Sequence, residues 1–317
     1  MAGPRLPPEA IAASRAAIAA GSKSFALAAR LFDPDTRDRA TLLYHWCRHC
    51  DDVIDGQHLG QGRVASADSP AERLAMLRDA TDRALAGDGG SEPAFRALAA
   101  LNAVCPLPRR YAHDLLDGFA MDVAETAYQT EAELLTYCYH VAGCVGVLMA
   151  LVMGVEPSDH ATLARASDLG LSFQLNNIAR DVMEDAANGR RYLPADWLRE
   201  AGIPVGDFAE PAHRARLAKV VARLVALAEV YEESADWGVA ALDFRSAWAV
   251  LSAARIYGDI GRKVRRRGMA ALSERVVTSP QRKLRSVAGS LPQALARRSR
   301  WAAPSPERVG LWTPDFA

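Results

Sequence analysis

Asp181 and Asp185 stand four residues apart in LSFQLNNIARDVMEDAANGRRYLP, the stretch from Leu171 to Pro194. In a helix that spacing puts both carboxylates on one face, one turn from each other. Gln174, Asn177 and Arg180 precede them at spacings of three and four, so amides, a guanidinium and carboxylates share a stripe. Leu171, Leu175, Ile178 and Val182 hold the apolar period on a neighbouring face. Polar groups packed this densely on a half-apolar helix are costly to bury unless they bind something. Taken alone, the stripe is explained equally well as a solvated face laced with i,i+4 ion pairs.

A second stretch breaks that tie. YHWCRHCDDVID, Tyr44 to Asp55, again sets carboxylates at i and i+4, here Asp51 and Asp55, with Arg48 one turn before Asp51. Two helices each bearing D-x-x-x-D can face one another, and facing carboxylates collect hard divalent cations that hold a diphosphate through its oxygens. Mg²⁺ suits the task, with Mn²⁺ as the alternative, because it keeps water and substrate phosphate oxygens in its shell and needs few protein ligands.

Other groups are weaker candidates. Asp114, Asp117 and Asp122 lie on one expected helix, where Asp122 falls well round from Asp117, and a solvated acidic face explains them at least as well. Ser22-Lys23-Ser24 reads either as a plain N-cap or as a phosphate cradle at a helix N-terminus. Tyr137 and Tyr139 open a charge-free segment, where a phenol either hydrogen-bonds or shuttles a proton. Cys47 and Cys50 make one C-x-x-C with no second pair and no βαβ context, so they are read as structural.

The elements that must position these residues are helices. Patterns run over about Thr36–Ile54, Ala71–Ala86, Glu92–Val104, Arg110–Thr126, Ala212–Trp237 and Leu242–Arg267, with an alanine-rich helix before Gly21 and a short one over Phe25–Leu31. Asn188-Gly189 ends the central helix, and Pro194–Glu200 forms a short one. No alternating strand pattern appears, so the expected class is all-α, as a single domain over residues 1–317 with a catalytic core of about 21–300.

The 317 residues carry 38 basic and 38 acidic side chains, a balance that gives no support to nucleic-acid binding. Five cysteines, an odd number, fit reduced thiols and a cytoplasmic setting. The N-terminus lacks a continuous apolar run with a cleavage site. Tyr137–Val155 has no formal charge and approaches the ~20 residues of a membrane span, but its flanks lack anchoring Lys or Arg, which favours a buried helix. Basic residues dominate from Arg262 to Arg300; this is either a solvated face or a patch that draws the chain peripherally to anionic lipid on the inner face of the membrane.

SKSF at 22–25, YHWCRHCDDVID at 44–55, LLDGFAMD at 115–122, YCYHVAGCVG at 137–146 and QLNNIARDVMEDAANGRRYLP at 174–194 together resemble the squalene/phytoene synthases. The match runs in order from about Gly21 to Tyr257, and within the family it is most similar to the bacterial enzymes of carotenoid biosynthesis that make phytoene. The resemblance implies a class I isoprenoid synthase fold, with helices around a central apolar cavity. It also implies Mg²⁺-dependent head-to-head condensation of two geranylgeranyl diphosphates through a cyclopropylcarbinyl (prephytoene) diphosphate, without NADPH. By the same resemblance, Asp51, Asp55, Asn177, Asp181 and Asp185 would bind the metal. Ser22, Lys23, Ser24, Tyr44, Arg48, Gln174, Arg180, Arg190 and Tyr257 would hold diphosphate, and Tyr137 would serve the first half-reaction. Gly21 departs from relatives that carry a histidine there. Phe25, Tyr44, Phe119 and Phe173 are expected cavity walls. The rival readings are condensation of farnesyl diphosphate to squalene, dehydrosqualene or presqualene diphosphate, and a non-catalytic lipid-binding or partner protein of the same fold. All four motif aspartates are intact, which weighs against the latter.

Overall fold

The structure is a computed structural model that describes residues 6–21, 23–56, 68–302 and 304–314, without the side chains of 19–21, 23 and 24. Helices follow one another as α1 Pro8–Gly21, α2 Lys23–Ala29, α3 Pro34–Asp55, α4 Pro70–Leu85, α5 Pro93–Val104, α6 Arg109–Val123 and α7 Glu131–Cys138. A π-helical turn, Tyr139–Gly143, leads into α8 Cys144–Val152. Then come α9 His160–Ala187, α10 Ala195–Glu200, α11 Arg214–Asp236, α12 Phe244–Arg267, α13 Pro280–Leu295 and α14 Arg297–Arg300. No strand occurs among the described residues.

Local chemistry sets the ends of the two aspartate helices. Asp33 caps α3 by accepting the Asp35 and Thr36 amides, both at 3.0 Å. Pro34 occupies the first turn, where its missing N–H costs nothing. At the other end Gly56 (φ 62°) takes the left-handed position that stops the helix one residue after Asp55. Asp159 caps α9 through the Thr162 amide, and Gly189 (φ 76°) turns the chain out of it. The Arg190 amide reaches back to the Asp185 carbonyl at 2.8 Å, which fixes where Arg190 begins.

The 28-residue α9 is the central rod, about 42 Å long at 1.5 Å per residue. It packs against α8, α11, α12 and the π-turn, while α3 packs against α1, α5, α6 and α8. The core is one hydrophobic cluster running from Ala29 to Trp301, with Trp46 and Trp197 among its largest buried side chains.

Three elements differ from their sequence readings. The central helix starts at His160, well ahead of Leu171, because Asp159 supplies a cap that the apolar pattern did not reveal. The charge-free segment is a rod from Glu131 to Val152, interrupted by the π-turn; 61% of its most apolar window is buried inside the protein, as a core helix would be. The Arg262–Arg300 region contains α13, capped by Ser279. Its basic residues and the internal Pro292 hid an amphipathic helix whose exposed side carries Leu284 and Leu295.

Candidate active site

Five elements meet at a cleft of about 180 Å³. α3 supplies Asp51 and Asp55, α6 supplies Asp122, α7 supplies Tyr137, and α9 supplies Gln174, Asn177, Asp181 and Asp185; Arg190 and Tyr192 follow α9. Both aspartate motifs therefore line one space, as the paired spacing allows. The cleft opens into a larger cavity of about 490 Å³, and Asp51, Phe119, Asp122, Tyr137, Gln174 and Asn177 line both. Beyond that neck the wall is mainly apolar. Phe25 stacks on Tyr44 with centroids 4.7 Å apart and Phe173 on Tyr257 at 4.3 Å, and both pairs face the cavity. Phe119, Val141, Val145 and Met149 continue the wall, so the expected aromatic walls are all present.

Arginines interleave with the carboxylates. Arg48 bridges Asp51 and Asp52, each at 2.9 Å. Arg190 donates to Asp55 at 3.0 Å, joining the two motifs directly. Arg180 grips its neighbour Asp181 in a two-point fork, and Arg275 adds a second fork at 2.8 and 3.1 Å. Burial pushes the Asp51 carboxyl up to about 7, with Asp55 and Asp52 adding to the rise against the pull of Arg48. Burial likewise lifts Asp185 to about 7, reinforced by Asp181. Asp181 goes the other way: burial is outweighed by bonds from Arg180 and Arg275, which hold it below the usual carboxylate range. Paired carboxylates raised by burial and mutual repulsion are those that a nearby cation would stabilise. With Asn177 and Gln174 between them, the donor set is all hard oxygen, which fits Mg²⁺ or Mn²⁺.

Three site groups escaped the sequence reading, and a fourth, Asp122, was only a weaker candidate. Asp122, a candidate that a solvated acidic face explained at least as well, accepts hydrogen bonds from the Tyr137 hydroxyl at 3.1 and 3.2 Å and from the Tyr192 hydroxyl at 3.1 Å. Burial raises it to about 6 against the pull of Arg190 and both hydroxyls. Leu115, Phe119 and Asp122 form an i, i+4, i+7 stripe on the cavity wall, and that period was the available signal. Tyr192 stacks on Tyr137 with centroids 5.0 Å apart, and Tyr128 meets Tyr137 at a tilt, 5.2 Å away. Arg275 lies 94 residues from Asp181 in a loop, where no spacing rule could link them.

Asp114 and Asp117 do lie elsewhere. Asp114 accepts from Tyr139 at 2.5 Å, and Asp117 pairs with Arg78 at 2.6 Å. With His140 they bring ligand atoms within 4.8 Å of one another, the one such compact trio among the described residues. Its members are already engaged by neighbours, and it stands outside both cavities. Burial pushes the Cys47 thiol up to about 12, and both Cys47 and Cys50 are free thiols, in line with a structural role. Ser22 and the side chains of Lys23 and Ser24 lie outside the described residues, although the adjoining Phe25 faces the cavity.

A similarity across most of the chain accompanies this geometry. The 15-cis-phytoene synthase of Pantoea ananas is 47% identical over 296 residues, 93% of this chain and 94% of its own length. The 15-cis-phytoene synthase of Enterobacter agglomerans is 48% identical over 293 residues, 92% and 98% of the two chains. Among solved structures, a dehydrosqualene synthase in complex with ligand superposes with a TM-score of 0.79 at 24% identity, covering 91% of this chain and 97% of that one, which shows the shared fold. The squalene/phytoene synthase family model matches residues 18–282, and the chain belongs to that family.

Proposed function

We propose that this chain is a phytoene synthase, a prenyltransferase that joins two geranylgeranyl diphosphates head to head through prephytoene diphosphate. The observation that carries the reading is the direct opening of a two-sided carboxylate cleft into a mainly apolar cavity. The names of the relatives at 47–48% identity support the same reaction. Residues 1–317 are read as one domain, which the single continuous hydrophobic cluster supports.

In this reading Asp51, Asp55, Asn177, Asp181 and Asp185 hold Mg²⁺, which when bound neutralises diphosphate oxygens and assists their departure. Arg48, Arg180, Arg190 and Arg275 add fixed positive charge where diphosphate leaves, while Gln174 at the neck and Tyr44 and Tyr257 on the cavity wall donate hydrogen bonds. Ser22, Lys23 and Ser24 complete the diphosphate contacts. The apolar wall keeps water from the allylic cation, and the Tyr44 and Tyr257 faces favour that cation as it forms. Burial and the neighbouring Asp122 carboxylate push the Tyr137 phenol well above its ordinary range. It therefore keeps its proton and orients Asp122 rather than acting as a base.

Purified protein with Mg²⁺ and no NADPH should convert the C20 diphosphate to a C40 hydrocarbon and leave the C15 diphosphate largely unused. A C30 product from C15 would transfer the reading to the farnesyl branch. No product from either substrate, with lipid supplied, would favour a non-catalytic protein.

The same reading places the enzyme in the cytoplasm and peripherally on anionic membrane, where its substrate and product partition. Leu284 and Leu295 on α13 and Val277 just before it are 59%, 66% and 71% exposed, beside the exposed Arg285, Arg298 and Arg300. An apolar stripe flanked by arginines suits an interfacial helix. Flotation with phosphatidylglycerol vesicles should carry wild type but not a Leu284→Asp/Leu295→Asp variant, and binding should weaken with salt. Failure of wild type to float at low salt rules out this surface.

A further inference from the structure

Well along α9 from the cleft, the cavity wall holds a charged side chain that the proposed chemistry does not use. Away from the neck, where Arg48, Asp51 and Asp122 lie, Arg165 is the one ionic residue on the cavity wall among the described residues. It is 6% exposed. Its guanidinium donates to the Ser234 hydroxyl at 2.5 Å and to the carbonyl of Pro306 in the C-terminal tail. Ser234 in turn donates to Asp168, which is fully buried and gripped by Arg308 of the same tail at 2.8 and 2.5 Å. Arg308 also donates to the Trp312 carbonyl at 3.0 Å, and the Trp312 amide to the Tyr231 hydroxyl at 3.1 Å, so the tail is tied down on both sides of the ion pair. Gly238 admits the Arg165 stem, since a Cβ there would come within 2.7 Å of the Arg165 Cβ.

We infer that Arg165, fixed by the Asp168–Arg308 tail latch, is the length stop of the prenyl cavity and so a specificity-determining residue. The inference rests on the prenyl diphosphate reading above. Arg165 and the cleft residues share α9, which makes the helix a ruler. Arg165 lies 177 − 165 = 12 residues before Asn177 and 181 − 165 = 16 before Asp181, or about 18 and 24 Å along the axis. An extended prenyl chain gains roughly 5 Å per isoprene unit from ordinary carbon–carbon bond lengths, so a C20 chain spans about 20 Å and a C15 chain about 15 Å. The C20 terminus therefore comes level with Arg165, and a fifth unit would have to pass it, with Thr162 the one α9 residue lining the cavity further on. Hydrocarbon cannot displace a guanidinium from its hydrogen bonds without leaving a buried charge unpaired. The tail latch holds the stop in place, because Pro306 and Arg308 bind both members of the Arg165–Asp168 pair.

The test is a substrate ladder of C15, C20 and C25 all-trans prenyl diphosphates, comparing kcat/KM and products for wild type, Arg165→Met and Arg308→Met, with folding checked by circular dichroism. Wild type should disfavour C25 relative to C20 by at least ~10-fold, the scale on which a filled pocket rejects added hydrocarbon. Arg165→Met should raise the C25:C20 ratio at least ~10-fold while C20 turnover stays within a few-fold. Arg308→Met, which leaves Arg165 present but loosened, should move the ratio the same way by less. Equal use of C25 and C20 by wild type overturns the stop whatever the variants do. Folded variants that keep the wild-type ratio, even with lower C20 activity, reduce the latch to a structural tie and also overturn it. Wild type inert toward C20 would instead defeat the phytoene synthase reading itself, a distinct result.

Discussion

Asp181→Asn should lower turnover at saturating substrate and Mg²⁺ by at least ~10³-fold while the helical fold is retained, because it removes one full negative charge from the proposed metal seat. Asp181 is the motif carboxylate most firmly kept ionised, since Arg180 and Arg275 both fork onto it. The amide has the same shape but is a weaker ligand for a hard cation, and it takes the charge partner from Arg180 and one of two from Arg275, whose other is Glu184 at 3.3 Å. Asp51→Asn on the facing helix should behave alike, since Asp51 lies at the neck shared by cleft and cavity. Asp117→Asn, in the compact trio with Asp114 and His140, should leave turnover within a few-fold. Product formation against Mg²⁺ concentration, beside thermal melts, separates the cases. Asp181→Asn activity within tenfold of wild type, or a larger loss at Asp117, would move the metal seat away from the two motifs.

What the sequence made legible follows from how each residue is linked to the next. Asp51/Asp55 and Asp181/Asp185 were readable because one helical turn converts a spacing of four into a shared face, and both faces do line one cleft. Phe25, Tyr44, Phe119 and Phe173 were readable as walls by their size and place near the motifs. Asp122 was misjudged because Asp114 and Asp117 nearby do point elsewhere, and only the Leu115–Phe119–Asp122 stripe separates it from them. Arg275 and the Arg308–Asp168 pair were not readable at all. Partners 94 and 140 residues apart meet through tertiary packing of α9, α12 and the tail, which no local period encodes. The basic run from Arg262 to Arg300 shows the same limit, since its members have separate roles. Arg275 turns inward to Asp181, Arg262 and Arg282 pair with Glu232 and Asp259 at 2.8 Å each, and Arg285 and Arg298 face outward.

Gly170→Ala should destabilise the protein by about 2–4 kcal/mol, the cost of overpacking a tight helix crossing, although Ala exceeds Gly in helix propensity by about 1 kcal/mol. The opposed signs make the outcome decisive. A Cβ at Gly170 would lie 2.3 Å from the Ala142 carbonyl oxygen and 2.7 Å from the Gly143 Cα, both backbone atoms that cannot rotate aside. Gly146 faces the same crossing, where a Cβ would come within 2.2 Å of the Ala166 carbonyl oxygen. These two glycines thus let the π-turn and α8 lie backbone to backbone on α9, with Ala142, Val145, Gly146 and Gly170 all on the cavity wall. The added methyl must push the charge-free rod off the central helix, and Tyr137, in the α7 part of that rod, moves with it away from Asp122 and Gln174. A melting temperature lower by on the order of 5–10 °C is expected for a chain of this size. Turnover should fall further than the lost stability explains, because cleft and cavity share that wall. A variant as stable as wild type, or one destabilised with unchanged kcat, would mean that the crossing does not set the site's geometry.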